Sequence, residues 1–98
     1  MHESIKSIQD TLNKQKDYLA REYNVKEIGV FGSRVRGEQS EESDIDILVG
    51  FNKTIGLFKF LELEEYLQEL LGIKVDLVSK KALKPRIGRY ILDEVIYI

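Results

Sequence analysis

Apolar residues recur along the first part of the chain at the spacing of an amphipathic helix. They are Ile5, Ile8, Leu12, Leu19 and Tyr23. Polar residues separate them, so the apolar side chains would share one side of a helix. The pattern predicts one helix over about the first two dozen residues, ending near Asn24, a residue type that tolerates a left-handed helix end.

Three short apolar runs further along have the composition of buried strands. They are residues 26–31, 44–51 and 73–78. β-branched and aromatic residues dominate them, which favours strands. Between the first two runs, residues 32–43 are polar and end in Gln39-Ser40-Glu41-Glu42-Ser43. This segment predicts a short helix or turn followed by an exposed loop.

Two further helices are predicted after the second strand. The apolar stripe of the first is Leu57, Phe60, Leu61, Leu67, Leu70 and Leu71. Gly72 follows it, where a helix end favours glycine. Pro85 suits the first position of the second helix, whose apolar face would comprise Ile87, Ile91 and Val95. The closing Ile96-Tyr97-Ile98 either packs on the chain's own core or serves as an apolar docking end.

The order helix, strand, polar turn, strand, helix, strand, helix predicts an α/β domain with a small sheet. The chain has 98 residues and no linker-like segment, so we expect one domain over residues 1–98. Hydrophobic residues make up 43% and charged residues 33%, as in ordinary globular proteins. There are no cysteines, so any metal must be held by oxygen ligands rather than thiolates.

Charge and hydropathy narrow the possible partners and locations. The formal net charge is −2, whereas proteins that bind long nucleic acids usually carry a basic excess. Direct binding to long DNA or RNA is therefore not expected. The apolar runs are too short to cross a bilayer, and the first residues do not resemble a secretion signal. We therefore expect no membrane association and a cytoplasmic location.

Two carboxylates alternate in the second predicted strand. Side chains of Asp44 and Asp46 would lie on one face, while Ile45 and Ile47 occupy the other. Neighbouring carboxylates repel each other unless a cation joins them, and a hard divalent ion such as magnesium fits such ligands. An exposed, solvated pair of acids is the alternative.

A glycine-bearing turn, Gly32-Ser33-Arg34-Val35-Arg36-Gly37, directly follows the first predicted strand. Glycine permits close approach of a phosphate, and backbone N–H groups at a helix start point outward. A plain strand-to-helix turn is the alternative. The segment lacks the Gly-Lys-Ser/Thr end of a P-loop and the spacing of a dinucleotide-binding fingerprint.

Asp76 lies inside the third apolar run, Lys74-Val75-Asp76-Leu77-Val78. An unpaired buried charge there would be unfavourable, so a salt bridge to Lys74 or a nearby lysine is one explanation. The other is that the third strand lies beside the second. Asp76 would then join Asp44 and Asp46 in a three-carboxylate cluster able to hold two metal ions.

The ordered combination of these motifs resembles the minimal nucleotidyltransferase family of the polymerase-beta-like superfamily. The resemblance extends to the stretch Ala82-Leu83-Lys84-Pro85-Arg86 and to the closing helix with Ile91-Leu92-Asp93-Glu94-Val95, and so covers nearly all of the chain from about Ile28 onward. It implies a single-domain, polymerase-beta palm-like α/β fold with a small mixed sheet flanked by helices.

The resemblance also implies roles for individual residues. Gly32 and Ser33 would hold the β and γ phosphates of ATP. The metal-binding and catalytic residues would be Asp44, Asp46 and Asp76, with two Mg²⁺ ions and with Asp76 helping to deprotonate the acceptor. Arg34 and Arg36 are candidate nucleotide-binding residues that would contact phosphate, contact an acidic patch on a partner, or simply be solvated.

Members of this family are typically paired with a HEPN-domain RNase toxin, which they adenylylate on a tyrosine. The resemblance therefore implies a magnesium-dependent protein adenylyltransferase that acts as an antitoxin. Two alternatives differ in class: an antitoxin that neutralises its toxin by binding alone, and a nucleotidyltransferase for a small hydroxylated molecule. Three retained acids disfavour the first, and the lack of room for a second substrate-binding domain disfavours the other.

Overall fold

Helices and strands follow one another in nearly the predicted order. The computed structural model describes residues 5–37 and 44–98, apart from the side chains of Ser33 and Arg34. The loop predicted at residues 39–43 lies outside them. The helices are α1 (Ile5–Lys14), α2 (Lys16–Tyr23), α3 (Ser33–Arg36), α4 (Leu57–Leu71) and α5 (Pro85–Glu94), with a 3-10 turn at Lys80–Ala82. The strands are β1 (Val25–Phe31), β2 (Ile45–Phe51), β3 (Val75–Ser79) and β4 (Ile96–Tyr97).

The strands form one mixed sheet with the order β3-β2-β1-β4. β1 is antiparallel to both β2 and β4, whereas β2 and β3 are parallel. Parallel neighbours need a crossover connection, and α4 lies within the connection between β2 and β3. The small mixed sheet and its helices confirm the predicted α/β fold.

The main hydrophobic core lies on one face of this sheet. Its strand residues include Ile28, Val30, Ile45, Ile47, Val49, Val75 and Leu77. Helices α1, α2 and α4 supply the remainder, including Ile8, Leu12, Leu19, Leu63 and Leu67. Because side chains alternate along a strand, Ile45 and Ile47 enter the core while Asp46 between them is directed to the other face.

The first predicted helix is in fact two helices. α1 ends at Lys14, Gln15 adopts φ −103° and ψ 4°, and α2 then runs to Tyr23. The polar Gln15 does not join the apolar stripe; instead its side chain accepts a hydrogen bond from the Tyr66 hydroxyl at 3.0 Å. The prediction of one continuous helix was therefore wrong. The predicted end is confirmed, because Asn24 has a left-handed conformation with φ 57°.

The apolar faces of α4 and α5 were only partly predicted. The buried residues of α4 are Leu63, Leu67 and Leu71, whereas Leu57 and Leu61 are exposed. At 3.6 residues per turn, these two leucines lie about 120° and 160° around the helix from Leu63, so the predicted stripe combined two faces. Gly72 ends α4 in the expected left-handed conformation.

On α5, Pro85 begins the helix as predicted, but Ile87 is exposed rather than part of a buried face. Ile91 and Val95 are partly buried. None of the helices within residues 5–37 and 44–98 combines the length and apolar composition needed to cross a bilayer.

The last residues pack on the chain's own core. β4 pairs with β1, and the N–H of Ile98 donates a hydrogen bond to the carbonyl oxygen of Ile28 at 2.9 Å. A Cβ on Gly29 would lie 2.7 Å from Cγ2 of Val95. Glycine in β1 therefore lets the end of the chain approach the sheet closely. Of the two interpretations of the closing segment, packing on its own core is confirmed.

The revised face of α4 yields a stability prediction. Leu67→Ala should lower the free energy of unfolding by about 2–5 kcal/mol, because it leaves a cavity in the core. Leu61→Ala, on the half-exposed side of the same helix, should cost less than about 1 kcal/mol. Urea unfolding of both variants checks the assignment, and equal losses would contradict it.

Candidate active site

The predicted acids lie where β2 meets its neighbours. Asp46 is aligned with Asp76 across the parallel β2-β3 pair and with Phe31 across the antiparallel β1-β2 pair. Neighbouring strands are about 4.8 Å apart. The register therefore brings Asp46 and Asp76 to adjacent positions on one face of the sheet, with Asp44 just before the start of β2.

The three acids differ in exposure. Asp44 and Asp76 are exposed, and Asp46 is partly buried. The sequence predicts Asp76 as a charge inside an apolar strand, but only its neighbours Val75 and Leu77 enter the core, with 3% and 6% of their surface exposed. No described lysine or arginine forms an ion pair with Asp76, so the structure does not support the salt-bridge explanation.

The surroundings of Asp46 disfavour its negative charge. Burial raises the pKa of the Asp46 carboxyl above its usual value, and the negative charges of Asp76 and Asp44 raise it further. Arg36 acts in the opposite direction, and Glu94 adds a smaller increase. A cation beside Asp46 would offset this excess of negative charge.

The donor chemistry suits magnesium, although the described residues do not form a complete metal cage. Among the described residues, no three His, Cys, Asp or Glu side chains are gathered closely enough to hold an ion. Magnesium usually takes one or two carboxylates and completes its shell with water and substrate phosphates. Oxygen ligands from Asp44, Asp46 and Asp76 therefore fit a site completed by a nucleotide, and their assignment as metal ligands stays a prediction.

Gly32 closes the turn between β1 and the acids. It is buried and has φ +88°, and a Cβ there would overlap Oδ2 of Asp46. Both features require glycine, because L side chains rarely adopt this conformation. α3 begins immediately afterwards, with the N–H groups of Val35 and Arg36 donating to the Gly32 carbonyl oxygen at 3.1 and 3.2 Å. The predicted strand-turn-helix arrangement is confirmed.

Glu94 is a site residue to which the sequence analysis assigned no role, although it belongs to the closing-helix motif. Its Oε1 accepts hydrogen bonds from the Gly32 N–H and from Nη1 of Arg36, both at 3.0 Å. An acid at the end of α5 is unfavourable for the helix dipole, and no basic residue occupies the last turn of this helix. That mismatch and the place of Glu94 in the closing-helix motif are the sequence signals that point to this residue.

The remaining nucleotide-binding candidates are only partly placed. The backbone of Ser33 and Arg34 starts α3, but their predicted side-chain contacts lie outside the described part of the chain. Arg36 is half exposed and forms a salt bridge with Glu94 at 3.0 Å. Arg36 therefore pairs with an acid of its own chain. This contact does not test the predicted role of Arg36 in nucleotide binding.

A cavity of about 650 Å³ opens at the opposite end of β2. Its lining includes Gly50, Phe51, Phe60 and Lys80. None of the described candidate residues lines it. The acids and the Gly32 turn instead form an open edge, where Asp44 and Asp76 are exposed.

Sequence comparison identifies the protein family to which the chain is similar. Residues 12–98 match the nucleotidyltransferase domain family. The chain belongs to that family. Over 95 residues it is 50% identical to a protein of Thermococcus cleftensis named protein adenylyltransferase MntA, covering 97% of this chain and 96% of that one.

Solved structures support the same assignment within the nucleotidyltransferases. A structure provisionally described as a minimal nucleotidyltransferase superposes with a TM-score of 0.81 and 35% identity, covering 97% of this chain and 96% of that one. A chain in a crystal structure of a toxin-antitoxin with AMP-PNP gives a TM-score of 0.72 and 28% identity, over 87% and 69% of the two chains. The chain is thus a minimal nucleotidyltransferase by sequence and by fold.

The close approach of Gly32 to Asp46 yields a prediction with a matched control. Gly32→Ala should weaken binding of ATP with magnesium and destabilise the fold, because the methyl group displaces the Asp46 carboxylate. Gly37 also has positive φ, at +77°, but a Cβ there would meet nothing within 4 Å. Gly37→Ala should therefore carry only the backbone cost of about 1 kcal/mol.

Thermal unfolding and calorimetric titration with ATP compare the two glycine variants. Equal losses of stability and unchanged ATP binding in both would show that the contact between Gly32 and Asp46 is unimportant.

The raised pKa of Asp46 predicts a pH-dependent gain in stability on removing its charge. Above this pKa the folded chain holds an ionised Asp46 in unfavourable surroundings, and the penalty disappears as the pH falls towards the usual aspartate value. Asp46→Asn should therefore raise the free energy of unfolding at about pH 7, with the gain shrinking towards about pH 4.

Urea unfolding at both pH values measures this difference in the absence of divalent ions. Asp10→Asn, an exposed acid on α1, is the control and should change little. A gain that is the same at both pH values, or a loss at neutral pH, would contradict the electrostatic account of Asp46.

Proposed function

We propose that this chain is a magnesium-dependent protein adenylyltransferase, which transfers AMP from ATP to a tyrosine hydroxyl of a HEPN-domain toxin and so acts as its antitoxin. One observation carries the proposal: the strand register brings Asp46 beside Asp76 while Gly32 closes against Asp46. The turn that we propose to bind phosphate and the two acids that we propose to bind metal are thus adjacent.

The choice of nucleotide and acceptor draws on the relatives. The Thermococcus cleftensis relative is named a protein adenylyltransferase, and the toxin-antitoxin structure with AMP-PNP contains an ATP analogue. The open edge supports a macromolecular acceptor, because no second domain within the described residues covers the acids. ATP and a partner hydroxyl are therefore the substrates we assign to this site.

In the proposed reaction, the tyrosine oxygen of the partner attacks the α-phosphorus of ATP. A new phosphorus-oxygen bond forms, the bond from the α-phosphorus to the bridging oxygen breaks, and diphosphate leaves with that electron pair. The hydroxyl proton passes to the carboxylate of Asp76. Asp44, Asp46 and Asp76 are the residues that would hold magnesium, which would supply positive charge to balance that of the phosphate oxygens.

The surface next to the site suits a protein partner. α5 ends at Glu94, which contacts the Gly32 turn. On the same helix, Ile87 and Tyr90 expose 58% and 74% of their surfaces. Exposed apolar residues close together are common at protein interfaces. A toxin bound along α5 would lie next to the edge that carries Asp46, so that its tyrosine could reach the acids.

The transfer assay that tests the proposal uses α-labelled ATP, magnesium and a candidate HEPN-domain toxin. We expect label on the HEPN protein with the wild-type chain and no label with the double variant Asp46→Asn/Asp76→Asn. The variant removes two proposed metal ligands from the exposed edge and leaves the apolar core intact.

Asp10→Asn/Asp17→Asn, which changes one exposed acid on each of α1 and α2, is the charge-matched control and should transfer at the wild-type rate. Omission of magnesium should abolish the label. If both the wild type and the double variant inhibit the toxin equally and neither labels it, the chain neutralises by binding alone and the proposal fails.

A further inference from the structure

Two hydrogen-bond donors of the Gly32 turn converge on one oxygen of Glu94. Oε1 accepts from the Gly32 N–H and from Nη1 of Arg36, each at 3.0 Å, and Oε2 accepts from the same Nη1 at 3.0 Å. One donor is a backbone amide next to a short helix and the other is a guanidinium. This combination of donors is typical of an oxyanion site.

The carboxylate of Glu94 therefore occupies a position suited to a phosphate oxygen. Gly32 has a single N–H, and that N–H already donates to Oε1. A phosphate oxygen that uses the same N–H must take the place of the carboxylate. Repulsion strengthens the conflict, because a carboxylate and a triphosphate are both anions.

We propose that Glu94 is an internal competitor of the nucleotide: it fills the anion subsite formed by Gly32 and Arg36 when no nucleotide is bound, and it leaves when the triphosphate enters. Glu94 thereby sets the affinity of the site for phosphate chains. The inference rests on the proposed function, since it assigns a regulatory role within the same site.

The position of Glu94 favours displacement over permanent occupancy. It lies at the carboxyl end of α5, where the helix dipole disfavours an anion. Its negative charge also contributes to the raised pKa of the Asp46 carboxyl. Its side chain keeps a quarter of its surface exposed, at 25%, so it has access to solvent when it is released. Among the contacts described, only those with the Gly32 amide and with Arg36 offset the unfavourable effects of the helix dipole and of Asp46 on the charge of Glu94.

A different role, in which Glu94 holds Gly32 and Arg36 in the shape that binds phosphate, predicts the opposite response. Glu94→Gln separates the two roles, because glutamine keeps an accepting oxygen and the side-chain length but removes the charge. If Glu94 competes, the variant binds phosphate chains more tightly. If Glu94 organises the turn through its charge, the variant binds them more weakly.

The experiment measures dissociation constants of the full chain for tripolyphosphate and for ATP, each with magnesium, by isothermal titration calorimetry. We expect Glu94→Gln to bind both about tenfold more tightly than the wild type, as expected for loss of one nearby like charge. Asp93→Asn removes the neighbouring charge on α5 and should stay within about twofold of the wild type.

A measurement on the wild-type chain tests the displacement directly. The NMR signals of the Gly32 amide and of the Glu94 side-chain carboxyl should both move when tripolyphosphate and magnesium are added, because the two groups part. A Glu94 signal that does not move while Gly32 responds, or a Glu94→Gln variant that binds no more tightly than the wild type, overturns the inference alone. Failure of the wild type and the variant to bind either ligand overturns both the inference and the proposed function.

Discussion

The register of β2 within the sheet is the constraint on which the site depends. Ile45 and Ile47 are fully buried, and Asp46 between them lies on the other face. A slip of one residue would turn Asp46 into the core and the isoleucines outward. Burial of an unpaired acid and exposure of two isoleucines both oppose that slip. The packing that stabilises the sheet thus also fixes Asp46 beside Asp76 and against Gly32.

The register of β2 brings several negative charges together at one edge of the protein. Burial and two neighbouring acids disfavour the charge of Asp46, and Glu94 adds to the effect. Arg36 is the described cation that acts against it. Binding of magnesium, or of a ligand that carries magnesium, would reduce the repulsion among these acids. The clustered acids therefore lower the stability of the fold while they serve the proposed metal binding. Such a trade-off between stability and activity is common at functional sites.

The end of the chain connects the core to this edge. β4 pairs with β1, and Val95 lies close to Gly29. These contacts place the end of α5 beside the Gly32 turn, where Glu94 meets Gly32 and Arg36. The terminal segment therefore orders the neighbourhood of the site, a role different from that of a free docking end. Exposed residues of α5 remain available to a partner.

The sequence by itself determined the α/β class, the order of most elements, the helix ends at Asn24 and Gly72, and the candidate residues of the site. Each follows from local periodicity, from glycine and asparagine chemistry, or from motif resemblance. Tertiary structure decided the rest: the break at Gln15, the exposed sides of α4 and α5, the exposure of Asp76, and the contact of Glu94 with Gly32. That last contact joins residues 62 positions apart. Local patterns do not report such contacts, because they arise only when distant segments pack together.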